Sequence, residues 1–205
     1  MERVAAGLGR RAGRTYPQIG RWARAGLWLV TDPARTPDPL AALARLPRGT
    51  VAIYRSFGAA NSLAEASAMA RFARKRGVIL LVGADPRLAR RSGAHGLHLP
   101  ERLAHQAGTW RRRRPQWLVT AAAHSLPAAR RAQAAGAQAV LVSAVFPSRS
   151  PSAPQPLGPI RFEALARGLA APVIALGGIG PRTARRLAHS RAAGLAGVGA
   201  FVSEK

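Results

Sequence analysis

The chain has 205 residues, 48% of them apolar, which is enough to bury the core of one domain. It contains no cysteine, which excludes disulfide frameworks and thiolate metal sites, and no apolar run approaches the ~20 residues that span a bilayer. The net charge of +24 comes almost wholly from arginine, since Lys75 and Lys205 are the only lysines, and it predicts attraction to phosphorylated anions.

Residues 1–25 read as a basic leading segment with six arginines and one acid, Glu2, broken around Tyr16-Pro17 and carrying Trp22. They lack the apolar centre of a secretory signal, so the expected compartment is the cytoplasm. A βα alternation follows over residues 26–205. Leu27–Asp32 reads as a strand, and a Pro-rich loop leads to a helix over Pro39–Leu46. Val51–Ser56 is a second strand, followed by a helix over Ser62–Arg76 with Ser62 as N-cap and Glu65 three residues on. Val78–Gly83 is apolar almost throughout, as a strand covered on both faces should be. A helix over Pro86–Ser92 leads to the strand Gly96–Leu99, and Glu101–Arg114 has a helical pattern. Trp117–His124, a helix over Pro127–Ala135 and Ala139–Val145 come next, then a helix over Ile160–Leu169. Pro172–Ala175 runs into Leu176-Gly177-Gly178-Ile179, a helix spans Pro181–Ser190, and Gly194–Phe201 is the eighth strand.

Eight strands with helices between them predict an α/β fold, a parallel (β/α)8 TIM-type barrel, with an open doubly wound sheet as the competitor. No eighth helix is expected, because the sequence stops four residues after Phe201. The outer ring is then open unless residues 1–25, covering the bottom of the barrel and anchored by Trp22, or a second subunit lie there. A homo-oligomer is one way to close it. In such a barrel the loops after strands seven and eight build the phosphate site. Gly177 and Gly178 fit that place, because backbone N–H groups at a bare turn meet an anion without a side chain. The expected partner is a phosphorylated small molecule. Neither a membrane nor a dedicated nucleic-acid partner is expected, since aromatics are only 5% and no cluster interleaves them with basic residues.

Several segments, in order, resemble the thiamine phosphate synthase/TenI family of barrels. They are Leu29–Asp32, Gly93–Leu99, Ala123-His124-Ser125, Val145-Phe146-Pro147, Pro156-Leu157-Gly158 and Ala175–Ile179. The resemblance implies a role in thiamine biosynthesis and binding of a thiazole phosphate or thiamine phosphate. It places Gly177 and Gly178 on one wall of the phosphate pocket and Gly199 with Ala200 near the other. Asp32, Arg55, Phe146, Pro147 and Gly158 become expected substrate contacts. His124, ending strand five, matches the general acid/base of TenI-like thiazole tautomerases, and an imidazole titrating near neutrality suits proton transfer.

The departures concern the metal. Family members that couple a pyrimidine pyrophosphate to the thiazole carry Gln-Leu-Arg-x-Lys after strand two. Here the run is Ile53-Tyr54-Arg55-Ser56-Phe57. Their magnesium aspartate after strand three is matched by Ala84, with Asp85 one place late, and Glu101 is the only carboxylate where the second is expected. Arg149-Ser150-Pro151-Ser152 stands where Thr-Lys is common. No metal site is therefore assigned, and magnesium enters only if Asp85 or Glu101 substitutes. Metal-free proton transfer is the expected chemistry. A true synthase with a rearranged metal site and a non-catalytic phosphate-binding barrel are the rivals. His98 is read as structural, and His95, His105 and His189 are given no role.

Overall fold

Eight short apolar segments pair in parallel, in sequence order, and close on themselves, β1 against β8. The computed structural model describes residues 1–17, 26–148 and 155–198. Trp22, the Arg149–Ser152 stretch, Gly199 and Ala200 fall outside the described residues. The order is α1 (Glu2–Thr15), β1 (Leu27–Val30), α2 (Pro39–Ala44), β2 (Val51–Tyr54), α3 (Ser62–Arg76), β3 (Ile79–Gly83), α4 (Pro86–Ser92) and β4 (Gly96–Leu99). A 3-10 turn (Glu101–Gln106) and α5 (Ala107–Arg113) follow, then β5 (Leu118–Ala123), α6 (Leu126–Ala134) and β6 (Val140–Val142). The last elements are α7 (Gly158–Arg167), β7 (Val173–Ala175), α8 (Pro181–Arg185) and β8 (Ala192–Val198).

The period of two along each strand sorts side chains into two cores. Trp28, Val51, Ile79, Leu118, Leu141 and Ile174 point inward and fill the barrel. Their neighbours Leu29, Ala52, Leu80, Val119, Val140 and Val173 point outward beneath the helices. Both faces of every strand are thus buried, which is why the strand segments read as continuous apolar runs.

Helix α1 supplies the outer layer between the ends of the helical ring. It packs along β8 and β1 and touches α8, burying Ala5 and Leu8 completely in the outer core. Its last turn reaches the barrel's lower end, where Ala12 and Tyr16 join the inner core. Residues 2–15 therefore line the wall as a regular helix and cover the gap in the outer ring. Gly26 permits this close approach: its φ is +62°, and a Cβ there would stand 2.0 Å from the Ala5 carbonyl oxygen.

Two local expectations are corrected. Asn61, not Ser62, is the N-cap of α3, and Glu65 instead accepts a short hydrogen bond from the Tyr54 hydroxyl. That bond across to β2 outcompetes the local capping box, because Tyr54 is buried and its O–H needs an acceptor. Burial and the Glu65 carboxylate together push the Tyr54 phenol upward. Basic and aromatic side chains do interleave at α5: Trp110 and Trp117 stack at 6.2 Å, with Arg113 and Arg114 over their rings. Trp117 is buried, however, so this pair anchors α5 to the wall. Among the described residues no helix is long and apolar enough to cross a membrane.

Candidate functional site

The strand ends at the C-terminal rim enclose a cleft of about 620 Å³, on the face where barrels of this kind carry their chemistry. Arg55, directly after β2, forms part of its wall. Its backbone N–H donates to Thr31 Oγ1 (3.0 Å), its Nε to the Thr31 carbonyl (2.8 Å) and a terminal nitrogen to Asp32 Oδ2 (3.0 Å). Arg35 reaches the same carboxylate at 3.3 Å, and Asp32 Oδ1 accepts the Ala34 N–H at 3.1 Å. Burial raises the Asp32 pKa, but the Arg35 hydrogen bond and the charges of Arg35 and Arg55 outweigh it and hold the carboxyl below its usual range. Two guanidiniums thus share one carboxylate, leaving net positive charge on this wall. Asp32 stands behind Arg55 and orients it. Phe57, 69% exposed, lies under the Arg55 guanidinium at 5.0 Å and forms an apolar lip.

Across the cleft, β5 delivers His124. Glu101 Oε2 accepts both the His124 backbone N–H (2.9 Å) and its ring Nδ1 (2.7 Å), which sets the position and the rotation of the imidazole. An ionised carboxylate only accepts, so the hydrogen of this bond sits on Nδ1, and in the neutral ring Nε2 is the nitrogen with the lone pair. On the cleft floor His98 meets Thr120 Oγ1 at 2.9 Å. Burial, helped by the Arg55 charge, pushes the His98 imidazole down to about 3.

β7 ends in the glycine turn. Gly177, with φ +93°, lines the cleft. Among the described residues no acceptor takes the N–H of Gly177, Gly178 or Ile179. The turn is braced from behind: Phe146 N–H donates to the Gly177 carbonyl (3.0 Å), and Thr183 Oγ1 donates to that of Gly178 (2.8 Å). At Gly178 a Cβ would stand 2.4 Å from the Pro147 carbonyl oxygen and 2.7 Å from Phe146 Cβ. The space that this glycine keeps open is therefore filled by the β6–α7 connection.

Phe146, Pro147 and Gly158 are not brought to the cleft surface. Phe146 is buried in the outer core with the Arg186 guanidinium over its ring at 5.3 Å. Pro147 is exposed, and Gly158 opens α7 with its N–H on the Val145 carbonyl at 2.9 Å. Phe146 and Pro147 back Gly178, and Gly158 ends the connection that carries them. Gly199 and Ala200 lie beyond the described residues.

Each carboxylate near the magnesium position has one oxygen engaged. Ala84 offers no ligand, Asp85 Oδ1 caps α4 by accepting the Leu88 N–H (2.9 Å), and Glu101 holds His124. Magnesium is held by one or two carboxylates together with substrate phosphates; here Ala84 removes one such carboxylate, while Asp85 and Glu101 already serve as a helix cap and a histidine partner. Among the described residues no three His, Asp or Glu side chains gather as a metal cage. The Glu101–His124 pair escaped sequence reasoning because no local pattern links residues 23 positions apart.

Comparison with known proteins agrees with this architecture. The family model described as "Thiamine monophosphate synthase" (TMP-TENI) matches residues 27–201. A thiamine-phosphate synthase of Chromobacterium violaceum is 35% identical over 181 residues, covering 85% of this chain and 86% of the relative. One of Thiobacillus denitrificans is 34% identical over 195 residues, covering 89% and 86%. The solved structure of a thiamine phosphate pyrophosphorylase from Pyrococcus furiosus superposes with a TM-score of 0.74 at 20% identity, over 90% of this chain and 89% of that one, a likeness of fold.

Proposed function

The chain belongs to the thiamine monophosphate synthase (TMP-TENI) family, and from that premise we propose that it binds a thiazole phosphate or thiamine phosphate in the rim cleft and moves a proton on that ligand through His124. The observation that carries this reading is the Glu101–His124 pair. Glu101 fixes the tautomer and leaves Nε2 as the base. His124 takes a proton from one position of the ligand and, as an imidazolium paired with Glu101, returns it at another. The N–H groups of Gly177, Gly178 and Ile179, which meet no acceptor among the described residues, support binding of the phosphate. Arg55 and Arg35 favour a second anionic or polar group across the cleft.

A second reading, coupling of a pyrimidine pyrophosphate to a thiazole phosphate, is favoured by the names of the relatives. Against it stand Ala84 and the engaged oxygens of Asp85 and Glu101. One pair of assays separates them. In heavy water without metal, the protein should incorporate deuterium into the thiazole phosphate. His124→Ala should lose that exchange, by roughly a hundredfold or more for a general base, while retaining ligand affinity. Magnesium-dependent pyrophosphate release with both substrates would establish coupling instead. Tight binding without exchange or pyrophosphate release would identify a non-catalytic barrel.

A further inference from the structure

The cleft floor holds one polar side chain that the proposed chemistry leaves unused. His98 is only 9% exposed and lines the cleft from the inward row of β4. Its Nδ1 is engaged with Thr120 Oγ1 at 2.9 Å, and Thr120 is wholly buried. Among the described residues no protein atom pairs with Nε2. Nor does Nε2 belong with the sealed, unpaired polar atoms among the described residues, which are Trp28 Nε1 and Thr50 Oγ1. It is reached from the cleft.

The tautomer follows from Thr120. A buried hydroxyl hydrogen without an acceptor is destabilising, and Nδ1 is the acceptor within reach. The Thr120 O–H therefore donates to Nδ1, and the ring hydrogen resides on Nε2. Burial keeps the ring uncharged at neutral pH. We infer that His98 is a ligand-contacting residue, a neutral imidazole whose Nε2–H donates to an acceptor atom on the ligand's ring, with Thr120 as its positioning partner. This rests on the ligand class proposed above. It makes the floor selective for a ring that presents an acceptor nitrogen or oxygen, and it gives His98 a binding task distinct from the proton transfer assigned to His124.

The test uses the full chain with thiamine phosphate as probe. Nitrogen-15 spectra of the histidines in the free protein should show His98 neutral and protonated on Nε2 from pH 5 to 8. An Nδ1–H form or an imidazolium overturns the inference whatever the ligand does. Binding is then measured on two variants. His98→Gln places an amide nitrogen near the former Nε2 and should stay within about threefold of the parent, whereas His98→Asn reaches only Thr120 and should weaken binding roughly tenfold. An Asn variant that binds as tightly as the parent overturns the assignment. So do equal losses in both variants that track their melting temperatures, since that is the signature of a structural histidine. If the parent binds no thiamine phosphate, the proposed ligand class fails, and the nitrogen spectra still decide whether His98 presents a donor.

Discussion

His98 couples the cleft floor to the stability of the whole protein. Its imidazole titrates near 6.5 in an unfolded chain and is pushed to about 3 in the fold, first by burial and then by the Arg55 charge. The folded state therefore binds fewer protons than the unfolded state between these values. Stability is fully present above pH 6.5 and falls as the pH drops toward 3, by up to about 1.4 kcal/mol per pH unit. His95 adds to the same window, because burial and the Arg74 charge depress it. Melting temperatures from pH 7 to pH 4 should fall steeply for the parent and less steeply for His98→Gln; identical slopes would remove His98 from the account. Gly178 makes a second residue-scale prediction. Since a Cβ there would meet Pro147 and Phe146, Gly178→Ala should lower the melting temperature as well as ligand affinity. Lost binding with unchanged stability would return that glycine to the phosphate pocket alone.

Helix α1 shows how one element can close a fold from the other end of the sequence. Its Ala5, Leu8 and Ala12 lie three or four residues apart, so they form one stripe. The stripe is buried against β8 and β1, nearly the length of the chain apart in sequence. Uncovering those strands would expose apolar surface at roughly 25 cal/mol per Å². Deleting residues 1–15 should therefore lower the melting temperature and promote aggregation. Leu8→Ala, leaving a cavity under α1, should be destabilising by about 2–5 kcal/mol in denaturant titrations. A truncated chain that melts like the parent would mean that the helix contributes nothing to the barrel.

At the scale of the molecule the dominant fact is charge. Among the described residues only Arg35, Arg55 and Arg167 form arginine–carboxylate ion pairs, against a net charge of +24. Most guanidiniums repel one another through solvent, which destabilises the compact state and is screened within about 10 Å at 0.1 M salt. Raising sodium chloride from 20 to 300 mM should raise the melting temperature, and phosphate at equal ionic strength should raise it further if the glycine turn and the Arg55 wall bind the anion. A melting temperature that falls with salt would show that the favourable pairs outweigh the repulsion.

The barrel was legible in the sequence because its determinants are local. Runs such as Val51–Tyr54 and Ile79–Gly83 are apolar on both faces, Asp38, Asp85 and Ser125 cap the helices that follow them, and prolines stand in the first turn. Strand order then follows from right-handed connections between neighbours. The Gly177-Gly178 turn and His124 at the end of β5 were legible for the same reason, since each is marked by its place at a strand end. What each side chain does there was decided by tertiary structure. Glu101 and His124 meet only when β4 and β5 lie side by side, Thr120 takes the Nδ1 of His98 only in that same pairing, and Phe146 turns outward into a core that residues on other elements create. The dihedral preferences and apolar periods that set strands and helices act over a few residues. Hydrogen-bond partners and the burial that shifts a pKa depend on neighbours 20 or more positions away, and only the closed barrel brings those together.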